Sequence, residues 1–206
     1  RTVRKQCAPV IVANAFENET GVQPPVGFWD PAGFTSEGDA YEFRRRRVVE
    51  LKHGRVSMLA CMGYITPEYF KFPGYLAPSI GLKFSDVPNG LAAISKIPGS
   101  AIAQYITFCG LIELFFLVDD PARGPGDFAN AGALGIPKAG PIADPASKAK
   151  KLSAEIANGR LAMMAIMGMF FQDGLTGSAW GDWSLYTDSP LRAGVLDGTG
   201  GPRPDD

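Results

Sequence analysis

The sequence predicts an all-α membrane protein with three transmembrane helices, the first and third crossing with pseudo-two-fold symmetry. Three observations lead there. Residues 100 to 118 form an apolar run of near membrane-spanning length, two charged segments repeat each other at an offset of 105, and turn residues close each helical stretch. At 206 residues the length gives no reason to divide the chain, so a single domain over 1–206 is expected. Hydrophobic residues make up 46% of it, and the mean hydropathy lies close to zero. Those values fit a soluble protein or a membrane protein with short, interrupted spans. A net charge of −1 removes the broad cationic surplus that phosphate binding needs, so no nucleic-acid partner is expected. Cys7, Cys61 and Cys109 show neither metal-type spacing nor a disulfide framework. The chain starts at Arg1 without Met or a signal pattern, which suggests a processed chain whose targeting sequence has been cleaved.

Residues 1–38, rich in Gly, Pro and polar residues, predict a loop-like arm. Helix 1, about 39–66, passes through Arg44 to Arg47, turns apolar from Val56 to Ile65 and stops at Thr66-Pro67. Helix 2, about 100–118, is bounded by Pro98-Gly99 and Asp119-Asp120-Pro121 and is the clearest span. Helix 3, about 146–173, carries Lys148, Lys150 and Lys151 in its first turns, is apolar from Leu161 to Phe171 and ends near Asp173-Gly174, before a tail over 174–206. Val87–Ile97 and Ser178–Tyr186 read as short amphipathic surface helices or as plain loops, with Trp180, Trp183 and Tyr186 at interfacial depth in the former case.

Charge orients the spans. The Arg-rich entry of helix 1 and Arg123, Lys138, Lys148, Lys150 and Lys151 fall on one side. Only Lys71, Lys83, Lys96, Arg192 and Arg203 fall on the other, which puts the N-terminus in the more positive compartment.

ELKHGRVSMLACMGYI at residues 50–65 aligns with EIANGRLAMMAIMGMF at 155–170, and seven of the sixteen positions are identical, both charges among them. Glu50 and Arg55 stand about 140° apart around one helix, too far for pairing within it. Pairing across helices, Glu50 with Arg160 and Glu155 with Arg55, would neutralise four charges that are costly in a membrane. Gly54, Gly159, Ala60, Ala165, Gly63 and Gly168 leave room for a close approach of the two helices.

Such a neutral pair can still give one oxygen to a metal that prefers hard oxygen ligands, magnesium among them. Three residues on, His53 and Asn158 offer an imidazole nitrogen or an amide oxygen as a second donor on each helix. Gln104 and Glu113 are polar groups in the otherwise apolar second helix, and a ligand role or a protonated carboxyl would account for Glu113. For Gln172 a cap and a ligand are equally open. The methionines read as packing around rigid groups. A structural ion-pair lock and a small transporter are the competing readings. An enzyme is the weakest, because no catalytic arrangement surrounds the single His.

These residues resemble the light-harvesting chlorophyll-binding family, whose first and third spans carry a Glu, His or Asn, Gly-Arg, Met and Ala signature. GFWDPAGF at 27–34 is similar to the loop before the family's first helix, and FFQDGLTG at 170–177 to the exit of its third. Within the chlorophyll a/c branch, AFENETGVQPPVGFWDPAGF, GLKFSDVPNGLAAISKIPG, SAEIANGRLAMMAIMGMFFQDGLTGSAWGDW and SPLRA look like dinoflagellate peridinin-chlorophyll membrane antennae.

The resemblance implies Glu50, His53, Glu155, Asn158 and Gln172 as chlorophyll ligands, with Arg55 and Arg160 as the partners of Glu155 and Glu50. It also implies two ligands in helix 2 spaced eight apart, whereas Gln104 and Glu113 are nine apart. Two carotenoids crossing beside helices 1 and 3 follow from it, with polar ends near Trp29 and Asp30 and near Asp173. So do chlorophyll a, chlorophyll c, peridinin and a diadinoxanthin-like xanthophyll as pigments. The implied setting is a plastid thylakoid membrane, N-terminus stromal and C-terminus lumenal, with thylakoid lipids, a photosystem I or II core and neighbouring antenna subunits as partners. A photoprotective quencher built on the same ligands is the nearest alternative.

Overall fold

The computed structural model describes residues 16–36, 38–128, 142 and 144–180. The expectations placed on Cys7, Lys138, Trp183, Tyr186, SPLRA, Arg192 and Arg203 lie outside the described residues. The elements are α1 (Ala40–Tyr69), the strands β1 (Tyr75–Ala77) and β2 (Leu82–Lys83), α2 (Ala92–Lys96), α3 (Gly99–Phe115) and α4 (Pro145–Thr176). The helical class holds, with the three expected helices as α1, α3 and α4.

The two longest helices, α1 and α4, each begin on an aspartate cap. Asp39 Oδ1 accepts the Tyr41 amide at 2.9 Å, and Glu42 follows three positions on, in the first turn where negative charge suits the helix dipole. At α4, Asp144 accepts the amides of Ala146 and Ser147 and the Ser147 hydroxyl at 3.2, 3.1 and 2.6 Å. The Ser147 hydroxyl, then the two amides, hold the Asp144 carboxyl below its usual range.

The ends differ from expectation in three places. α1 continues through Pro67 to Tyr69, because a proline in the last turn forfeits a single ladder bond there and the Phe70 amide still reaches Thr66 O at 2.9 Å. α4 passes Gly174 and stops where Gly177 takes φ +74 and its amide closes on Asp173 O at 2.8 Å. α3 ends at Phe115 rather than Val118; its 17 residues reach about 25 Å at 1.5 Å per residue, short of a bilayer core of about 30 Å.

No helix among the described residues is long and apolar enough to cross a membrane. The three expected spans are thus three helices, two of them long but charged over their N-terminal halves. An antiparallel hairpin not foreseen pairs Tyr75 with Lys83 and Ala77 with Leu82. Its turn, Pro78–Ile80, closes on Gly81 at φ 70.

The chain divides into two compact units, Arg1–Gly54 with Phe116–Gly159, and Arg55–Phe115 with Arg160–Asp206. In the first, Phe16, Val48, Leu51, Phe128 and Ile156 are buried, together with Arg47. Phe16 stacks on Phe43 at 4.1 Å between centroids. Arg44 takes Asp119 in a forked pair at 3.0 Å and adds the carbonyls of Asp120 and Arg123 at 2.9 and 2.6 Å, which ties the start of α1 to the 116–128 segment. Gln23 Nε2 donates to Ser153 O of α4 at 2.8 Å.

Gly54 and Gly159 bring the two helices together backbone to backbone. A Cβ at Gly54 would lie 2.9 Å from Gly159 Cα, and one at Gly159 would lie 3.0 Å from Gly54 Cα. Of the other glycines expected at this approach, Gly63 and Gly168 stand clear of it, since a Cβ at either would meet nothing within 4 Å.

In the second unit the buried positions include Ala162, Ile166, Ala179 and Asp173. Asp173 Oδ2 accepts the Tyr64 hydroxyl at 2.5 Å and the Leu91 amide at 2.7 Å, joining the end of α1, the start of α2 and α4. The Trp180 indole donates to Glu68. α3 has no buried residue.

Gly54→Ala and Gly159→Ala should each lower stability by about 1–3 kcal/mol, because overpacking against backbone exceeds the roughly 1 kcal/mol that alanine gains in a helix interior. Gly110→Ala, with nothing within 4 Å of its Cβ, should leave stability equal or higher. Thermal loss of the helical circular dichroism signal in mild detergent measures all three.

Candidate functional site

Glu50, His53, Glu155 and Asn158 all fall in the first unit, within one turn before Gly54 or Gly159. Leu51 and Gly54 of α1 and Ile156 and Gly159 of α4 are buried at matching positions of the 105-residue repeat. His53 and Asn158 immediately precede the two contact glycines. At about 100° per residue they stand on the flank of the helix approach rather than in it. Both are exposed.

The two side chains are held in the same way. His53 Nδ1 lies 2.8 Å from Val49 O. A carbonyl oxygen can only accept, so Nδ1 carries the proton and Nε2 keeps an outward lone pair. Asn158 Nδ2 donates to Ala154 O at 2.8 Å, which leaves its amide oxygen as the outward acceptor. Val49 and Ala154 are themselves 105 residues apart. Each helix thus fixes one outward polar atom by bonding the other polar atom of that side chain four residues back, as metal-ligating histidines commonly are fixed.

The carboxylates are set lower in the same turns. Glu50 Oε2 lies 2.5 Å from Nη1 of Arg47 one turn earlier, a buried arginine that also stands 5.3 Å over the Phe43 ring. Sequence reasoning had not singled out Arg47. Its signal is a charged position on the Val48–Leu51–Gly54 face, where burial forces a partner. Glu155 is half-buried. Arg55 and Arg160 follow the contact glycines directly and belong to the second unit. Among the described residues no cluster of His, Cys, Asp and Glu forms a many-ligand metal site.

Gln104 and Glu113 are exposed on α3, and Gln172 is half-buried on α4. Trp29 is 73% exposed. Asp30 accepts the amides of Phe34 and Thr35 and the Thr35 hydroxyl at 3.0, 2.8 and 2.5 Å, so its carboxylate shapes the 30–36 turn, which Arg46 joins through the Phe34 carbonyl. Asp173 is likewise taken up by protein donors. Tyr64 and Glu68 were missed, although the repeat extended three residues further pairs Glu68 with Asp173.

Residues 16–174 match the family described as chlorophyll A-B binding protein. The chain belongs to this family. It is 41% identical over 162 residues to fucoxanthin-chlorophyll a-c binding protein F, chloroplastic, of Macrocystis pyrifera, covering 79% of this chain and 76% of that protein. The B protein of the same organism is 40% identical over 177 residues, covering 84% and 79%. The F protein of Phaeodactylum tricornutum is 41% identical over 163 residues, covering 78% and 81%. For a chlorophyll A-B binding protein, outward neutral ligand atoms beside an apolar surface are what a magnesium tetrapyrrole requires, and His53 and Asn158 fit it.

Asp30 offers a check on the loop before α1. The Thr35 hydroxyl first, then the Thr35 amide, hold its carboxyl below the ordinary 3.8. A depressed folded pKa means that the turn is fully held above the unfolded value and loosens only as pH falls through the lower folded one. The Thr35 amide resonance should therefore titrate with a midpoint below 3.8, and Thr35→Ala should move the Asp30 midpoint upward.

Proposed function

We propose that the chain is a light-harvesting antenna protein of the chloroplast thylakoid membrane, which binds chlorophyll a, chlorophyll c and carotenoids and passes excitation energy to a photosystem. The observation that carries this reading is the matched tethering of His53 and Asn158 to the carbonyls four residues back, which leaves one outward ligand atom on each helix. Glu50 and Glu155 are the charged ligands of the same two turns, and Arg55 and Arg160 keep the neutralising role that the repeat gives them. Gln172, Gln104 and Glu113 are further ligand positions. The carotenoids lie beside α1 and α4, with polar ends toward the Trp29–Asp30 loop and Asp173.

Bound chlorophyll supplies the absorption and the transfer. The residues of this chain hold the macrocycles at fixed separations and exclude water. The open space beside Gly63 and Gly168 suits flat pigments. The exposed Tyr105, Ile106, Phe108, Leu114 and Phe115 of α3 suit lipid and pigment together. With the charged N-terminal halves neutralised at the helix approach, α1, α3 and α4 are the three spans, N-terminus stromal and C-terminus lumenal. Neighbouring antenna subunits, thylakoid lipids and a photosystem I or II core are the partners. Peridinin and a diadinoxanthin-like xanthophyll are the carotenoids if the chain stands closest to the dinoflagellate antennae, and fucoxanthin, named in its relatives, is the alternative.

Purification in mild detergent followed by pigment extraction tests the reading. The wild type should carry several chlorophylls per chain together with carotenoid, and a chain that purifies without pigment sinks the proposal. His53→Leu and Asn158→Leu should each lose one chlorophyll per chain and leave the helical circular dichroism signal unchanged.

A further inference from the structure

α3 repeats the ligand arrangement of the other two long helices at residues outside the 105-residue repeat. In α1 a polar side chain at Glu50 is followed three residues on by His53, which is bonded to the carbonyl four back. In α4 Glu155 and Asn158 stand in the same relation. In α3 Gln104 is followed three residues on by Thr107, whose hydroxyl donates to Ala103 O at 2.8 Å. That distance equals those at His53 and Asn158. A threonine in an apolar helix commonly satisfies its hydroxyl in this way, and the consequence is chemical. With its proton engaged, the oxygen is an acceptor only, and it stands exposed on a helix that buries none of its residues.

Among the described residues, the other two threonines bonded four back lack this setting. Thr66 donates to Met62 O but has Gly63 three positions before it. Thr176 donates to Gln172 O and follows Asp173, whose Oδ2 is taken by Tyr64 and Leu91.

We propose that Thr107 is an axial ligand position for a magnesium tetrapyrrole, paired with Gln104 as His53 is with Glu50 and Asn158 with Glu155. A neutral hydroxyl oxygen is a hard donor of the kind magnesium accepts. The rise of about 4.5 Å over three residues is the same in all three pairs. The i, i+3 pair also answers the irregular nine-residue gap between Gln104 and Glu113: Gln104 takes its partner within its own turn, and Glu113 stands apart from it. This inference rests on the pigment-binding reading above.

The full-length chain is purified with its pigments as wild type, Thr107→Val and Thr107→Ser, and chlorophyll per chain is measured by extraction beside the helical circular dichroism signal. Thr107→Val keeps the shape and removes the oxygen, so it should lose one chlorophyll per chain at unchanged helicity, while Thr107→Ser should keep the wild-type number. A full complement in Thr107→Val overturns the assignment. So does loss of several pigments together with helicity in both variants, which would make Thr107 a packing residue. A wild type without pigment overturns the antenna reading itself, a failure distinguishable from that of Thr107 alone.

Discussion

The approach of Gly54 to Gly159 is the constraint on which the first unit depends. Two helices whose backbones come within about 3 Å of an added Cβ leave no rotational freedom about their axes at that point. Every neighbouring residue is then aimed by its distance in sequence from the glycine. The residue one before stands on the flank with its polar atom outward, and those three before, Leu51 and Ile156, are buried beside the contact. Because the glycines occupy equivalent places in the repeat, the two helices aim equivalent residues. The sequence repeat becomes a spatial one through a single backbone contact.

Much of this was legible beforehand, and what escaped did so for identifiable reasons. The offset of 105 showed the matched helices because it carries Glu, Gly and Arg in register, which hydrophobic periodicity cannot mimic. It could not show which small residues touch: Gly63 and Gly168 match as well as Gly54 and Gly159 do, yet open space lies beside them. Helix ends were misplaced where a residue type was read without its conformation. Pro67 sits where a missing donor matters little, and the left-handed stop falls at Gly177 rather than Gly174. Arg47 escaped because four consecutive arginines look alike in sequence, and only burial separates it from the exposed Arg45 and Arg46. The bonds from His53 and Asn158 to carbonyls four back follow from side-chain rotamers, which a sequence does not display.

The described part of the chain buries few large apolar side chains and exposes many, from Leu59 and Met62 on α1 to Leu161, Met164, Phe171 and Leu175 on α4. A helix such as α3, largely apolar and without a buried residue, gains little from core packing among the described residues. Polar ties compensate in part, through the Arg44 fork on Asp119, the Gln23 bond to Ser153 and the Asp173 junction with Tyr64 and Leu91. Each joins segments far apart in sequence, and each uses directional bonds where a water-soluble domain of this size would use core volume.

The tethers of His53 and Asn158 bear on the order of assembly. Their acceptors, Val49 O and Ala154 O, are helix carbonyls one turn earlier, in place only once that turn has formed. Winding the helix therefore also selects the imidazole tautomer and the amide orientation, before any partner atom arrives. A guest that meets side chains already locked does not have to freeze their rotamers on docking, so less of its attachment free energy is lost to ordering. The same coupling would run in reverse: a guest held there would resist the unwinding of the turn that fixes these side chains, so fraying of α1 or α4 at these turns would go with its release.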